Sequence, residues 1–291
     1  MHFLVVPWDV DPEIFSIGPI HLRWYGLLFA SGFLFGQAII AKIFKFEHKT
    51  EEDFEKLLIT MILATVVGAR LGHCLFYNPG YYLTHPIKIF MIWEGGLASH
   101  GGAFGILFSI WLYSRKRADQ SYLWTLDRIV IVVALAGGLI RLGNLMNSEI
   151  VGKETDVPWA FLFYRLSENP VPRHPAQLYE SISCFILFGL LYTTYWKKKG
   201  LIPEGRFLGI FLIYVFSLRL FYEFIKKNQE AFEEGLLINM GQILSIPLVL
   251  AGILVLSYSY GPGKRIMMEK LAKYGAPSKP ADIPKTTKKR G

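Results

Sequence analysis

Ile129-Val-Ile-Val-Val-Ala-Leu-Ala-Gly-Gly-Leu-Ile-Arg-Leu-Gly-Asn-Leu-Met-Asn-Ser-Glu-Ile-Val-Gly152 is the stretch that decides how the chain is read. Its first half is an unbroken apolar run of the kind a bilayer-spanning helix needs. Its second half then acquires an arginine, two asparagines and a glutamate. A charge near the bilayer centre costs roughly 2.5–3.5 kcal/mol on insertion scales, so an intramembrane charge is a functional hypothesis by default. Arg141 is therefore the first candidate. On a helix, Gly137, Arg141, Asn144 and Ser148 share one face. They form a polar stripe with a gap at Gly137 where a neighbour or ligand can come close.

The same apolar character continues outward from this stretch. Of 291 residues, 52% are hydrophobic, and the mean hydropathy is +0.34. Residues 1–15 are short, aromatic and interfacial. Spanning segments are expected at about 18–44, 55–77, 97–113, 125–147, 176–196, 206–224 and 237–258, each close to the ~20 residues a bilayer requires. The segment 86–93 is too short to cross and reads as a half-helix or surface helix. A polar, proline-containing loop occupies 148–175. No polar linker divides the chain, so residues 1–260 read as one all-α, polytopic membrane domain with seven transmembrane helices. The N-terminus lacks a charged region followed by a short apolar core, so no cleaved signal peptide is expected.

The net charge of +8 raises nucleic acid as a partner, but its distribution argues against one. Much of it follows Tyr260, at Lys264, Arg265, Lys270, Lys273, Lys279, Lys285, Lys288, Lys289 and Arg290. Residues 261–291 read as a basic cytoplasmic tail near anionic lipid, disordered in its last part around Pro277, Pro280 and Pro284. Lysine and arginine also crowd the 1–2, 3–4 and 5–6 connections, for example Lys42, Lys45 and Lys49, then Arg115, Lys116 and Arg117, then Lys197, Lys198 and Lys199. Only the 6–7 loop resists, with Lys226 and Lys227. The positive-inside rule then places the N-terminus outside and the C-terminus in the cytoplasm. Cys74 and Cys184 show neither metal spacing nor a disulfide framework. There is no His-Glu-x-x-His motif and no pair of intramembrane aspartates, which argues against proteolysis.

Orientation turns scattered polar residues into one layer. Arg70, Arg141 and Arg219 each lie about 5–7 residues before the outer end of their spans, or about 8–10 Å deep at ~1.5 Å per residue. Tyr25, His100, Gln177 and Glu180 fall in the first third of inward-running spans, at the same outer-leaflet level. The inner half has almost no such residue. Arginines at one depth point to an anion, because the guanidinium fork matches phosphate oxygens. Blander readings stand beside this one. Glu180 or Glu223 could simply neutralise an arginine, and Arg70 could snorkel to the surface. The run Gly95-Gly-Leu-Ala-Ser-His-Gly-Gly-Ala-Phe-Gly105 is a close helix-packing surface. Packing accounts for its glycines but not for His100, an acid or base near neutral pH.

Six motifs, in order along nearly the whole chain to Tyr258, resemble the bacterial prolipoprotein diacylglyceryl transferases. They are Asp11-Pro-Glu-Ile-Phe-Ser-Ile-Gly-Pro19, His21-Leu-Arg-Trp-Tyr-Gly26, Gly95-Gly-Leu-Ala-Ser-His-Gly-Gly102, Gly138-Leu-Ile-Arg-Leu-Gly-Asn-Leu-Met-Asn-Ser-Glu149, Arg173-His-Pro-Ala-Gln-Leu-Tyr-Glu180 and Met240-Gly-Gln-Ile-Leu-Ser-Ile-Pro247. The resemblance implies a seven-span enzyme of the bacterial inner membrane with its site in the outer-leaflet half. Such an enzyme moves a diacylglyceryl group from phosphatidylglycerol to the lipobox cysteine of a secreted precursor, forming a thioether and releasing glycerol phosphate.

On this resemblance His100, Arg141 and Arg219 are the catalytic set. Tyr25, Asn144, Asn147, Glu149 and Gly152 join them from the motifs, and Arg70, Gln177, Glu180 and Glu223, read from the polar groups within the spans, complete the lipid- and substrate-binding set. No cofactor or metal is implied. Some members carry a tyrosine four residues before the sixth-span arginine; here that position is Val215, and Tyr214 is five before. The nucleophile comes from the substrate, so neither cysteine of the chain is needed for chemistry. Residues 148–175 and 86–93 are expected on the side where they could cover the site. The main rival is an anion or lipid transporter, which predicts polar residues through both leaflet halves. A second is a non-catalytic scaffold, which leaves the arginines without a task.

Overall fold

The computed structural model describes residues 5–18, 20–226 and 239–277. It is built on helices α1 (Trp24–Phe46), α2 (Glu51–Phe76), α3 (Pro79–Thr84), α4 (Ser99–Arg115), α5 (Tyr122–Met146), α6 (Ala176–Lys197), α7 (Arg206–Ile225), α8 (Met240–Tyr260) and α9 (Pro262–Tyr274). Four short strands accompany them: β1 (Val6–Trp8), β2 (Glu13–Ile17), β3 (Ile20–Arg23) and β4 (Phe161–Phe163). Among the described residues, six helices, α1, α2, α5, α6, α7 and α8, are long and apolar enough to cross a membrane. Their outward faces carry exposed apolar side chains such as Leu34, Leu63, Leu190 and Leu254, as lipid-facing helices require.

The chain divides into two compact units. Among the described residues, one runs to Ile40 and again from Asp127 to Ala276, the other from Ala41 to Leu126 with Pro277. In the second unit α2 opens on Thr50, whose side chain accepts from the Asp53 amide at 3.0 Å, a cap that satisfies one free helix-end donor. Helices α2 and α4 then run in contact through glycines. A Cβ on Gly101 would collide with the Gly68 carbonyl and lie 2.8 Å from Gly72 Cα. Small residues let membrane helices approach this closely, so the glycine-rich run is the packing surface expected of it. Gly101→Ala should force the backbones apart at a cost of about 1–3 kcal/mol, typical of overpacking. Thermal unfolding in detergent should register the loss, and an unchanged midpoint would contradict the packing argument.

In the first unit α7 and α8 lie together through Gly209, which meets Leu256, and Gly252, which meets Ile213. Asn239 and Gln242 form a reciprocal capping box at the start of α8. Asp127 of α5 caps α7 from a distance, accepting from the Gly205 amide at 2.7 Å and the Leu208 amide at 2.9 Å. Asp127 and Arg128 are both buried, in the first two turns of α5 and at the opposite end from Arg141. That end of the helix is thus more polar inside than the sequence reading had it.

Three further expectations change. Gly18 and Ile20–Arg23 belong to the β2–β3 hairpin rather than to the first span, because Gly18 turns with φ +59° and Glu13 pairs with His21 at 3.0 Å. The segment 86–93 forms two 3₁₀ turns, Pro86–Phe90 and Ile92–Glu94, that leave Phe90 and Trp93 exposed. The basic stretch after Tyr260 begins as a helix, α9, tied back by Lys270 to Glu204 at 2.7 Å. Leu237, Lys227 and residues 278–291 lie outside the described residues.

Candidate active site

The loop 148–175 is folded, not merely polar. Parallel pairing of β1 with β4 covers a small core of Leu145, Val151, Phe161 and Phe163, against which Val6, Trp8 and Leu178 pack. Trp8 Nε1 donates to the Leu145 carbonyl at 3.0 Å. The loop is also pinned to the end of α7. The Gly152 amide donates to the His174 carbonyl at 3.0 Å, and the Lys153 amide to the Ile225 carbonyl at 2.7 Å. A Cβ on Gly152 would lie 2.5 Å from His174 Cβ and 3.0 Å from the Ile225 carbonyl. Burial lowers the pKa of His174, which favours a neutral ring 3.3 Å from the Tyr179 hydroxyl. Gly152→Ala should therefore displace the loop from Lys226. We expect about tenfold or greater loss of turnover, of order 1.4 kcal/mol, together with faster limited proteolysis of the loop.

A chain of charges runs beneath this loop. Arg141 Nε lies 2.7 Å from Glu180 Oε2, and the other Glu180 oxygen is held by Lys226 Nζ. Lys226 also reaches Glu223 Oε1 at 3.5 Å, and Arg219 Nε lies 3.7 Å from that same oxygen. Asn239 Nδ2 donates to Glu223 Oε2 at 3.0 Å, and Gly241 leaves the room this carboxylate needs. On the other side, Arg141 Nη1 donates to Asn144 Oδ1 at 3.4 Å, and Asn144 Nδ2 donates to Glu149 Oε2 at 3.1 Å. Asn147 Nδ2 holds the second Glu149 oxygen at 3.1 Å. Gln177 donates to the Glu149 carbonyl from a fully buried position.

Arg141 and Arg219 line one cavity of about 230 Å³ between α5, α6 and α7. Glu180, Ser183, Tyr214 and Tyr222 supply the rest of its polar wall, and Val133, Phe211 and Leu218 are among its apolar lining. Gly137 opens the α5 wall, as the gap in the polar stripe anticipated. Both Tyr214 and Val215 reach this cavity, so the register departure on α7 still brings a tyrosine to it. Tyr25 packs against Gly143, where a Cβ would lie 2.8 Å from its ring. The blander ion-pair readings are also realised: Glu180 and Glu223 do neutralise the arginines in part. Arg219 nevertheless keeps 42% of its side chain exposed.

Arg70 and His100 belong to the other unit. Arg70 is buried and its guanidinium faces backbone carbonyls. Nε donates to Ile89 at 2.9 Å, and the terminal nitrogens to Lys88 and Gly95. It neither snorkels nor points at an anion; it holds the 86–96 segment in place. His100 Nε2 lies 3.2 Å from the Tyr77 hydroxyl, on an exposed side chain.

The residue that sequence reasoning missed is Lys226, only 3% exposed. It counted as a loop charge. The available signal was Glu223 one turn earlier, a pair of opposite charges at i and i+3.

Comparison with known proteins agrees with the motifs. A family model described as prolipoprotein diacylglyceryl transferase matches residues 12–258. A phosphatidylglycerol–prolipoprotein diacylglyceryl transferase of Chloroherpeton thalassium is 50% identical over 90% of this chain and 96% of its own length. Enzymes of the same name from Tolumonas auensis and Bacteroides fragilis are 48% and 44% identical, covering 87% and 90% of this chain and 96% and 98% of their own lengths. With motifs, family model and relatives in agreement across the helical domain, the chain belongs to the prolipoprotein diacylglyceryl transferase family.

Proposed function

We propose that the cavity between α5, α6 and α7 takes the headgroup of phosphatidylglycerol, and that the lipid's diacylglyceryl group is transferred there to a lipobox cysteine. One observation carries the reading: two arginines from different helices, Arg141 and Arg219, face a single, largely apolar cavity. A thiolate attacks the glyceryl carbon bonded to the phosphate oxygen. A C–S bond forms, the C–O bond breaks, and its electron pair leaves on glycerol phosphate. Charge therefore grows on the departing phosphate, where preplaced cations in a dry site stabilise it most. The lining of Val133, Phe211 and Leu218 keeps water away. Asn144, Asn147, Glu149 and Gln177 hold Arg141 and the loop in register. Glu180 and Glu223 orient the two arginines.

His100 is the proposed acceptor of the thiol proton, since an imidazole nitrogen can take up a proton as the thiolate forms. Tyr25 supports α5 through Gly143. Arg70 serves as a positioning residue. The seventh span is α4: its 17 residues extend about 25 Å, and Phe104 and Phe108 face outward from it. With lysine and arginine concentrated on one side, the N-terminus lies outside, the C-terminus lies in the cytoplasm, and the cavity sits in the outer leaflet of the inner membrane. Residues 1–260 are the transferase domain and residues after 260 its cytoplasmic tail.

Purified protein mixed with phosphatidylglycerol and a lipobox peptide should add a diacylglyceryl mass to the cysteine and release glycerol phosphate. Absence of that product, with anion or lipid flux in proteoliposomes, would favour a transporter instead.

A further inference from the structure

A second cavity, of about 690 Å³, lies within the folded loop and is distinct from the lipid cavity. Its wall includes Ser148, Glu149, Phe163, Leu166, Asn169 and Val171. The volume is within the range of small-molecule and peptide sites, which combine apolar walls with a few placed polar groups. Three independent features mark it as built. Ser148 Oγ is buried with no hydrogen-bond partner among the described residues. Ser148 and Ile150 both hold positive φ, at 54° and 57°, a conformation that is strained for such residues and clusters at ligand sites. Glu149 joins this cavity to the other one, through Asn144 to Arg141.

We infer that this cavity binds the segment of the precursor that follows the acceptor cysteine, as a short uncharged stretch of polypeptide. The inference rests on the transferase reading above. That reaction needs two substrates, and the lipid already has a cavity among the helices. A precursor chain emerging beyond its thiol must pass on the loop side, next to Glu149. The charges on the wall argue for a neutral occupant. Glu154 is answered by Arg173 at 3.1 Å, and Glu149 by two asparagine amides. A phosphate would meet the Glu149 carboxylate and be repelled. The orphaned hydroxyl of Ser148, with Asn169 on the wall of the same cavity, offers the hydrogen bonds a peptide backbone demands.

The test compares two lipobox peptides on the full-length protein in phosphatidylglycerol micelles. One ends at the cysteine and the other continues for four neutral residues. The expected KM of the longer peptide is about tenfold lower, one decade of affinity. Val171→Trp, which puts an indole into the cavity where the peptide would lie, should collapse that ratio to about one. Leu166→Trp on the same wall serves if the first variant does not accumulate. A photoreactive residue two positions after the cysteine should label 163–171. Equal KM values for both peptides in the unaltered protein, or labelling confined to other segments, would overturn the peptide site while leaving the transferase reading intact. No transfer to either peptide would overturn both.

Discussion

Arg141→Ala should abolish diacylglyceryl transfer, lowering kcat/KM by at least about 10³-fold, while the protein still inserts and folds. Removing one preplaced donor from a developing oxyanion costs about 10²–10³ in rate. Arg141 is a preplaced donor of this kind, because its Nε is fixed 2.7 Å from Glu180 and its Nη1 3.4 Å from Asn144. Folding should survive because Glu180 keeps Lys226 as a counter-ion. Arg141→Lys should rescue little. An ammonium is a single compact charge and cannot meet a carboxylate, an amide oxygen and a phosphate from one planar fork. The measurement is lipid transfer to a lipobox peptide, with gel filtration in detergent as the folding control. Near-normal turnover in Arg141→Ala would remove Arg141 from the mechanism.

Lys226→Met should have the next largest effect, and in a different parameter. Arg141, Arg219 and Lys226 set three cations against the carboxylates of Glu180 and Glu223, so the cluster keeps one net positive charge for a lipid phosphate. Without Lys226 it keeps none, and each carboxylate falls back on its arginine. The expected outcome is a rise in KM for phosphatidylglycerol of about 10–100-fold, or about 1.4–2.8 kcal/mol, with a smaller change in kcat. Breaking a buried pair by removing one partner also destabilises by about 3–5 kcal/mol, so the melting temperature should fall. Lys226→Arg should restore both. The double variant Lys226→Met/Glu180→Gln should recover part of the lipid affinity, since it removes the competing carboxylate with the cation. A loss confined to stability, with an unchanged KM, would make Lys226 a structural residue only.

The legible part of this protein was the part encoded along one dimension. A bilayer demands about twenty consecutive apolar residues per helix, and that rule placed five of the six long helices within about four residues of their observed bounds, while the first begins at Trp24 rather than near residue 18. Arg141 and Arg219 were legible for the related reason that a charge inside such a run is costly. The motif signature supplied the family. Depth alone could not tell what a guanidinium touches. It grouped Arg70 with the other two arginines, yet Arg70 is enclosed by the carbonyls of a segment some twenty residues further along.

Sequence by itself determined the membrane-spanning helices, the family and the two arginines of the cavity, because hydropathy and motif spacing are local properties. Tertiary structure decided which cations answer which carboxylates. Gly152 has no side chain to hold it away from His174 and Ile225, so the loop bridges to Lys226 from far along the chain. That contact buries a lysine that composition would leave in water. Such a closure depends on backbones meeting across many residues, and no local pattern of apolar and charged side chains records it.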